Sequence, residues 1–444
     1  MLAIAYLSLI LLIGFAVFLH LKVAPSEKSI GNPAFVKFQH SYFAVYFIAL
    51  FAEWLQSPYL YRIYSHYGFI DTQIAIIYVC GFISSILFGT ASGYFADKCG
   101  RKKACIFFCL AYSLCCLSKA SSNYAILILG RVIGGISTSA LFSTFESWCV
   151  YEHTQTHDFP MEWISVTFSK ASFFNGITAV TAGVVANTLS EWINFGPVSP
   201  FLLAIPFLVI AGLLILTNWQ ENYGGKSIKL VGPCLESLRL IVTNPKILLI
   251  GAVTSLFESV MFVFVFLWTP VLDPARPPLG IVFSCFMACV MIGGLMFEAA
   301  VARKVSPVRV IELAIFLGMA SNLASSYASA NHPRKTFLAF LLMEFSCGLY
   351  FPAMNWVRRR ILPEAHHAGI INWFRVPLNI IASIVLLVLH DTHSGKGITA
   401  IFGLCSVLMI VAEICTIKLT MSLDDGDLIL DDQIDQDAGE ENVA

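Results

Sequence analysis

Charge is what this sequence has least of. Lys, Arg, Asp and Glu together make up 12% of its 444 residues, against roughly 25% in a soluble domain. Hydrophobic residues make up 57% and the mean hydropathy is +0.77. A soluble fold with that balance could not cover its own surface, so the composition describes a polytopic membrane protein. Other absences exclude whole chemistries. There is no N-x-Ser/Thr sequon, which fits short external loops. The thirteen cysteines show no zinc-ligand or C-x-x-C spacing, fall mostly inside apolar runs and read as small buried hydrophobes. No Walker loop, dinucleotide fingerprint, HExxH or nucleophile elbow is found. An ATP-driven pump, a membrane hydrolase, a bound metal, a cofactor and a nucleic-acid partner are therefore all unsupported.

What is there is a succession of long apolar runs. Residues 2–19 are uninterrupted apolar or small residues, with no basic stretch before them and no A-x-A site after. They read as a retained first span rather than a cleaved leader. Twelve more runs follow, at about 39–61, 74–96, 104–120, 124–148, 164–189, 199–218, 246–269, 279–300, 308–330, 336–357, 368–389 and 398–420. Each is near the ~20 residues a helix needs to cross the hydrocarbon core. They are numbered spans 1 to 12 here, with the leading one as an extra span. The expected fold is an all-α polytopic protein. It comprises the extra helix and its connection (1–36), a six-helix bundle (37–218), a cytosolic linker (219–245), a second six-helix bundle (246–421) and an acidic tail (422–444). The linker holds Gly224, Gly225, Gly232 and Pro233 and an amphipathic piece around Leu235–Val242.

Lys and Arg set the orientation. With the loop after span 2 in the cytosol, eighteen of the 27 bases fall on the cytosolic side, six outside and three within spans. That excess is a firm positive-inside signal. It puts the segment before the extra span outside and the tail from Ser422 in the cytosol. The external set includes Arg62 and Lys119, and the cytosolic set Arg358, Arg359 and Arg360. Tyr59, Tyr61, Tyr64 and Tyr67 read as an external interfacial belt. The tail has nine acidic residues and no base, a composition that stays disordered. Within it Asp424 to Ile429 matches the acidic dileucine pattern D-x-x-x-L-I, which would contact sorting adaptors. The membrane is read as the plasma membrane, with an endomembrane as the alternative.

Some charges sit where they are costly. An ionisable side chain deep in a span costs several kcal/mol unless it faces a partner or water. Glu53 is on span 1, Arg131 and Glu146 on span 4, Lys170 on span 5, Glu258 on span 7, Glu344 on span 10 and Arg375 on span 11. Two readings are open. Arg131 with Glu53 or Glu344, and Lys170 with Glu146, would be internal ion pairs. Alternatively Lys170 and Arg375, placed alike in the two halves and joined by Arg131, bind an anion. Arg offers a planar fork to an oxyanion and Lys a point charge. Glu258 above all, then Glu53 and Glu344, would carry a coupled proton. Internal duplication supports the pairing of halves. Leu50-Phe-Ala-Glu53 answers Leu256-Phe-Glu258, and Phe168-Ser-Lys170 answers Phe374-Arg375. Gly93-x-x-x-Asp97 answers Gly294-x-x-x-Glu298.

The densest charge cluster is Gly93-Tyr-Phe-Ala-Asp97-Lys98-Cys-Gly100-Arg101-Lys102-Lys103. Its spacing, G-x-x-x-D-K-x-G-R-K-K, resembles the signature loop between the second and third helices of the major facilitator superfamily. Gly130-Arg131-Val-Ile-Gly134-Gly135 is similar to that superfamily's helix-4 arginine motif. The resemblance covers residues 39–420 and implies alternating access. Spans 1, 4, 7 and 10 would line a central cavity, and Gly93, Asp97, Lys98, Gly100, Arg101 and Lys102 would form the cytosolic gate. The Gly-Pro pair of proton-driven drug exporters is absent from span 5. Ser57-Pro-Tyr-Leu-Tyr61, Asp158-Phe-Pro-Met-Glu-Trp163, Phe266-Leu-Trp-Thr-Pro-Val-Leu-Asp-Pro274, Gly348-Leu-Tyr-Phe-Pro352 and Asn372-Trp-Phe-Arg-Val-Pro377 resemble the molybdate-anion transporter family more closely. That resemblance implies import of molybdate, a tetrahedral dianion. Transport of sulfate or another anion, and a transporter-shaped sensor or scaffold, are the alternatives.

Overall fold

Helix starts are written into the sequence as Asn before Pro or an apolar run. Asn32 Oδ1 accepts the Ala34 and Phe35 amides, Asn123 caps Ala125 and Ile126, and Asn244 caps Lys246 and Ile247. Each supplies acceptors to amides that have no intrahelical partner. The computed structural model describes residues 1–23, 31–224, 231–328, 332–363, 366–388 and 395–423. The tail with its dileucine pattern, and Lys28, Lys226 and Lys229, lie outside the described residues.

The long helices are α1 (Leu2–Val23), α2 (Pro33–Gln56), α4 (Asp71–Cys99), α5 (Arg101–Ser118), α6 (Tyr124–Tyr151), α7 (Met161–Asn187), α8 (Ser199–Asn218), α10 (Pro245–Leu272), α11 (Leu279–Ala302), α12 (Pro307–Ala328), α13 (Pro333–Ile361), α14 (His367–Val388) and α15 (Gly395–Ser422). Short α3 (Leu60–His66) follows span 1, and α9 (Val231–Thr243) lies in the linker. Among the described residues, eleven helices are long and apolar enough to cross a membrane. The other two long ones, α5 and α7, fail on composition. α5 opens on three bases, and α7 is rich in Ser, Thr and Asn. Both run with the rest, α5 against α6 and α8, α7 against α2 and α11.

Every packing pair of the first bundle recurs in the second. α2 packs on α7 and α8 as α10 does on α14 and α15. α4–α6 answers α11–α13, α5–α6 answers α12–α13, and α5–α8 answers α12–α15. Two seams join the bundles, α7 with α11 and α4 with α14.

The end of the molecule that carries Asp273 is sealed. Arg62 on α3 meets Asp273 after α10 at 2.6 Å. Phe82 stacks on Phe262 with centroids 4.9 Å apart, and the Phe266 edge meets Tyr61 and Tyr78. Ser284 donates to the Val180 carbonyl at 2.8 Å, beside a point where Gly183 and Gly280 bring two backbones together. Such close approach needs residues without a Cβ. The expected tyrosine belt is corrected here. Tyr61 and Tyr64 on α3, and Tyr59 in the turn before it, are buried inside this seal, because α3 packs against α4 and α10.

Arg62 and Asp273 are half-exposed, so their bond contributes no more than about 1 kcal/mol. Arg62→Asp should shift the open–closed balance by up to about fivefold and lower turnover. The swap Arg62→Asp with Asp273→Arg should restore it. Uptake rates of the singles and the double variant check this, and a double no better than the singles would remove the latch role.

α1 lies across the α7–α11 seam. Its buried face (Ala5, Leu9, Ala16) packs on α11, where Cys285 Sγ approaches the Ala5 carbonyl at 3.4 Å. It also touches the first bundle. Trp192 Nε1 donates to the Tyr6 hydroxyl at 3.0 Å, and the His20 and Phe173 rings stack at 4.1 Å.

Candidate functional site

α6 carries Ser139, Ser143 and Ser147 at four-residue intervals, one face of a helix. Ser139 and Ser147 donate to the carbonyls of Gly135 and Ser143, four residues back, which keeps hydroxyls compatible with helix. Towards the Asp97 end this face borders a cavity of about 650 Å³ lined by Arg101, Ser143, Glu146, Ser147, Tyr151 and Thr154. Glu146 lines it and lies within electrostatic range of Arg359 of the second bundle.

Arg375 projects from α14 into the cleft between bundles and is exposed there. A Cβ on Gly89 of α4 would stand 3.5 Å from Arg375 Nη1 and 3.7 Å from Ser139 Oγ. Gly89 thus stands beside a guanidinium from the opposite bundle at ordinary contact distance. Behind Arg375, within its electrostatic reach, lie Glu258 of α10 and Arg358 of α13. Arg358 Nη2 donates to Glu258 Oε1 at 2.7 Å and to Thr254 Oγ1 at 2.9 Å. The Tyr350 hydroxyl donates to the same carboxylate oxygen at 3.5 Å, and its ring stacks on Phe257 at 3.9 Å.

Arg358 corrects the sequence reading, which counted it as a loop base. α13 meets no glycine or proline between Pro352 and Pro363, so it runs on to Ile361 and carries Arg358 into a buried ion pair. That missing stop signal was the clue available. Next to this cluster, burial and the charges of Arg358 and Arg359 hold the His367 imidazole below its ordinary value.

The remaining candidates are dispersed. Lys170 is half-buried on α7 and is engaged by neighbours. Glu146, its expected partner, lies within electrostatic range of Arg359. Glu53 lies against the Tyr112 hydroxyl with Arg131 close by. Arg131 sits 5.2 Å over the Tyr78 ring and packs on Gly81. Glu344 is buried beside Cys289 and Cys347, away from Arg131. Lys119, counted as an external loop base, is 1% exposed and donates to the Tyr64 hydroxyl at 2.8 Å.

The Asp97 loop is tied to the exit of α8. Gly100 takes φ +109°, a conformation glycine adopts without strain. Arg101 Nε donates to Asp97 Oδ1 at 2.8 Å, and its Nη1 to the Ser147 carbonyl at 3.1 Å. The Arg101 amide bonds the Asn222 carbonyl at 2.9 Å, the Lys102 amide bonds Glu221 Oε1 at 2.8 Å, and the Gly224 amide bonds the Asp97 carbonyl at 3.1 Å. Lys98 lies 5.9 Å over the Tyr94 ring, and a Cβ on Gly93 would meet nothing. Nothing in the motif itself pointed to residues 219–224. Asp97→Ala should cut this loop's hold on Arg101 and lower turnover several-fold more than it changes the Michaelis constant. Initial-rate uptake against concentration checks that split, and a change confined to affinity would remove the gate role.

Residues 5–327 match the family model MFS_5, described as sugar transporters with 12 TM. Molybdate-anion transporters are similar along nearly the whole chain. That of Xenopus laevis is 46% identical over 417 residues, 93% of this chain and 92% of its own. That of Takifugu rubripes is 44% identical, covering 96% and 97%, and that of Danio rerio 42%, covering 96% and 98%. Among solved structures, the nucleoside transporter NupG superposes with a TM-score of 0.68 at 12% identity, over 87% of this chain and 100% of its own. The D-xylose-proton symporter gives 0.65 at 13% identity, over 86% and 97%. At such identities the likeness is one of fold.

Proposed function

Because the chain belongs to the molybdate-anion transporter family of the major facilitator superfamily, we propose that it imports molybdate by alternating access, with Arg375 as the principal anion ligand. One observation carries this reading. An arginine stands exposed in the cleft between two membrane-spanning bundles, beside Gly89 and close to Ser139 of the opposite bundle. A charge so located is costly unless water or a ligand meets it, and a guanidinium fork fits two oxygens of a tetrahedral oxyanion. Lys170, its counterpart by internal repeat, approaches the anion from the first bundle, and Arg131 stands deeper, under the Tyr78 and Phe266 seal.

Positive-inside bias makes the Asp97 end cytosolic, so the described state faces inward, with the segment before α1 outside and the tail in the cytosol. Gly93, Asp97, Lys98, Gly100, Arg101 and Lys102 act as the cytosolic gate. The protein resides in the plasma membrane, and the acidic tail offers a sorting signal. Of the three carboxylates considered for a coupled proton, Glu258 is held by Arg358 and Glu53 lies near Arg131. Glu344 is buried with no ion pair among the described residues, and it takes the coupling role.

The test is uptake of labelled molybdate into cells lacking other molybdate carriers, with and without this chain. Saturable uptake is expected, and its absence would overturn the reading. Competition by sulfate at equal concentration separates a molybdate carrier from a general sulfate-type carrier.

A further inference from the structure

The anion site proposed above has a lopsided set of hydrogen-bonding groups. Its charged ligands, Arg375 and Lys170, are donors that cannot accept. Among the described residues the carboxylate within electrostatic range of Arg375 is Glu258, and that group is already committed. Its Oε1 accepts from Arg358 Nη2 at 2.7 Å and from the Tyr350 hydroxyl at 3.5 Å. The two paired side chains are only 9% and 15% exposed. Thr254 holds the same Nη2 from its other side at 2.9 Å, and Phe257 stacks on the Tyr350 ring. The clamp is therefore fixed on three sides. The next carboxylate along the cavity, Glu146, lies two turns of α6 from Ser139. At ~1.5 Å per residue that is about 10 Å nearer the mouth, where it lies within electrostatic range of Arg359. The α6 hydroxyls are neutral and can turn to give or accept, so they discriminate weakly. Among the described residues, the clamp on Glu258 decides whether a carboxylate faces Arg375.

We propose that Arg358, by holding Glu258 away from the cleft, makes this site selective for tetrahedral oxyanions that carry no proton. The inference rests on the anion-site reading of the preceding subsection. Molybdate, tungstate and sulfate at neutral pH present an acceptor at all four oxygens, which suits a site of donors. Hydrogen phosphate has the same shape and charge but carries one O–H. Among the described residues that hydrogen finds no free carboxylate in this site; its remaining acceptors are the neutral α6 hydroxyls, and at Arg375 it is turned against guanidinium N–H groups. A site whose polar groups mismatch a near-isosteric ligand rejects it far more strongly than a difference in size would. Arg358 does not itself touch the substrate in this scheme. It is a positioning residue that acts through Glu258.

The experiment measures inhibition of molybdate uptake by tungstate, sulfate and phosphate at one neutral pH, in cells expressing the full chain. In the unaltered protein tungstate and sulfate should compete, and the phosphate inhibition constant should stand at least about tenfold above that of sulfate. Arg358→Gln frees Glu258 to face the cleft. Molybdate should then bind more weakly, and phosphate should compete within about threefold of sulfate. Adding Glu258→Gln to that variant should restore the rejection. A merely structural role for Arg358 would lower all uptake without moving the phosphate-to-sulfate ratio. If Arg358→Gln fails to reach the membrane, Tyr350→Phe removes one donor to Glu258 and should lower the ratio about twofold to threefold; an unchanged ratio there overturns the proposal. Phosphate competing as well as sulfate in the unaltered protein also overturns it, and leaves the anion-site reading standing. No saturable molybdate uptake at all would overturn both.

Discussion

Arg375→Ala is expected to cripple saturable molybdate uptake, with kcat/KM down at least about thirtyfold. The size follows from what is lost. A charge-assisted, two-pronged contact to an oxyanion in a partly desolvated cleft is worth roughly 2–5 kcal/mol when one partner is truncated, and the lower end, ~2 kcal/mol, is about thirtyfold. Arg375→Lys keeps the charge but loses the fork, so it should fall between the two, about tenfold down. The side chain lies in the cleft and not in a packed core, so neither change should lower the amount of protein at the membrane. Uptake kinetics normalised to surface protein make the check. Unaltered KM and kcat in Arg375→Ala would remove the residue from the site, whatever the fate of the transport reading.

The second large effect concerns closure. Gly183 and Gly280 meet backbone to backbone across the α7–α11 seam. A Cβ added at Gly280 would run into the Gly183 carbonyl and stand 2.6 Å from Asn187 Cβ. Neither is the free end of a flexible side chain, so the helices themselves would have to part. Gly280→Val should hold the Asp273 end open and lower turnover at least about tenfold, while anion binding from that side survives. Gly176 on the same seam makes the contrast. Its nearest neighbour is the Met291 side chain at 3.3 Å, which can shift, so Gly176→Ala should stay within about twofold of the parent. Equilibrium binding beside uptake separates the outcomes. Equal activity in Gly280→Val and Gly176→Ala would show that closure does not need this contact.

Much of this architecture could be read from the chain. Asn–Pro starts marked α2 and α10, apolar runs of membrane length gave the helices, and the echo of Phe168-Ser-Lys170 in Phe374-Arg375 paired the halves. Arg375, Arg131 and Glu258 were found because a charge within an apolar run stands out. What escaped was charge at the ends of runs. Arg358 and Lys119 were assigned to water because their neighbours in sequence are polar. Yet a helix with no stop signal continues, and a lysine stem is long enough to turn back to Tyr64. Partners also left no trace. Glu258 and Arg358 are a hundred residues apart, and the hold of Glu221 and Asn222 on the Asp97 loop depends on where α8 ends in space. Spacing along one helix is legible; contact between helices is set by packing.

α1 gives the cycle a dependence on its solvent. It is bound to α11 along a buried face, but to the first bundle by two ring contacts, Tyr6 with Trp192 and His20 with Phe173. Separation of α7 from α11 with α1 kept on α11 would break both ring contacts. The strip of α7 and the Trp192 turn they cover would then meet acyl chains, to be displaced again on return. A cycle that opens this seam would open and close a lipid-facing groove each time, so the turnover rate is expected to change with the stiffness of the surrounding bilayer.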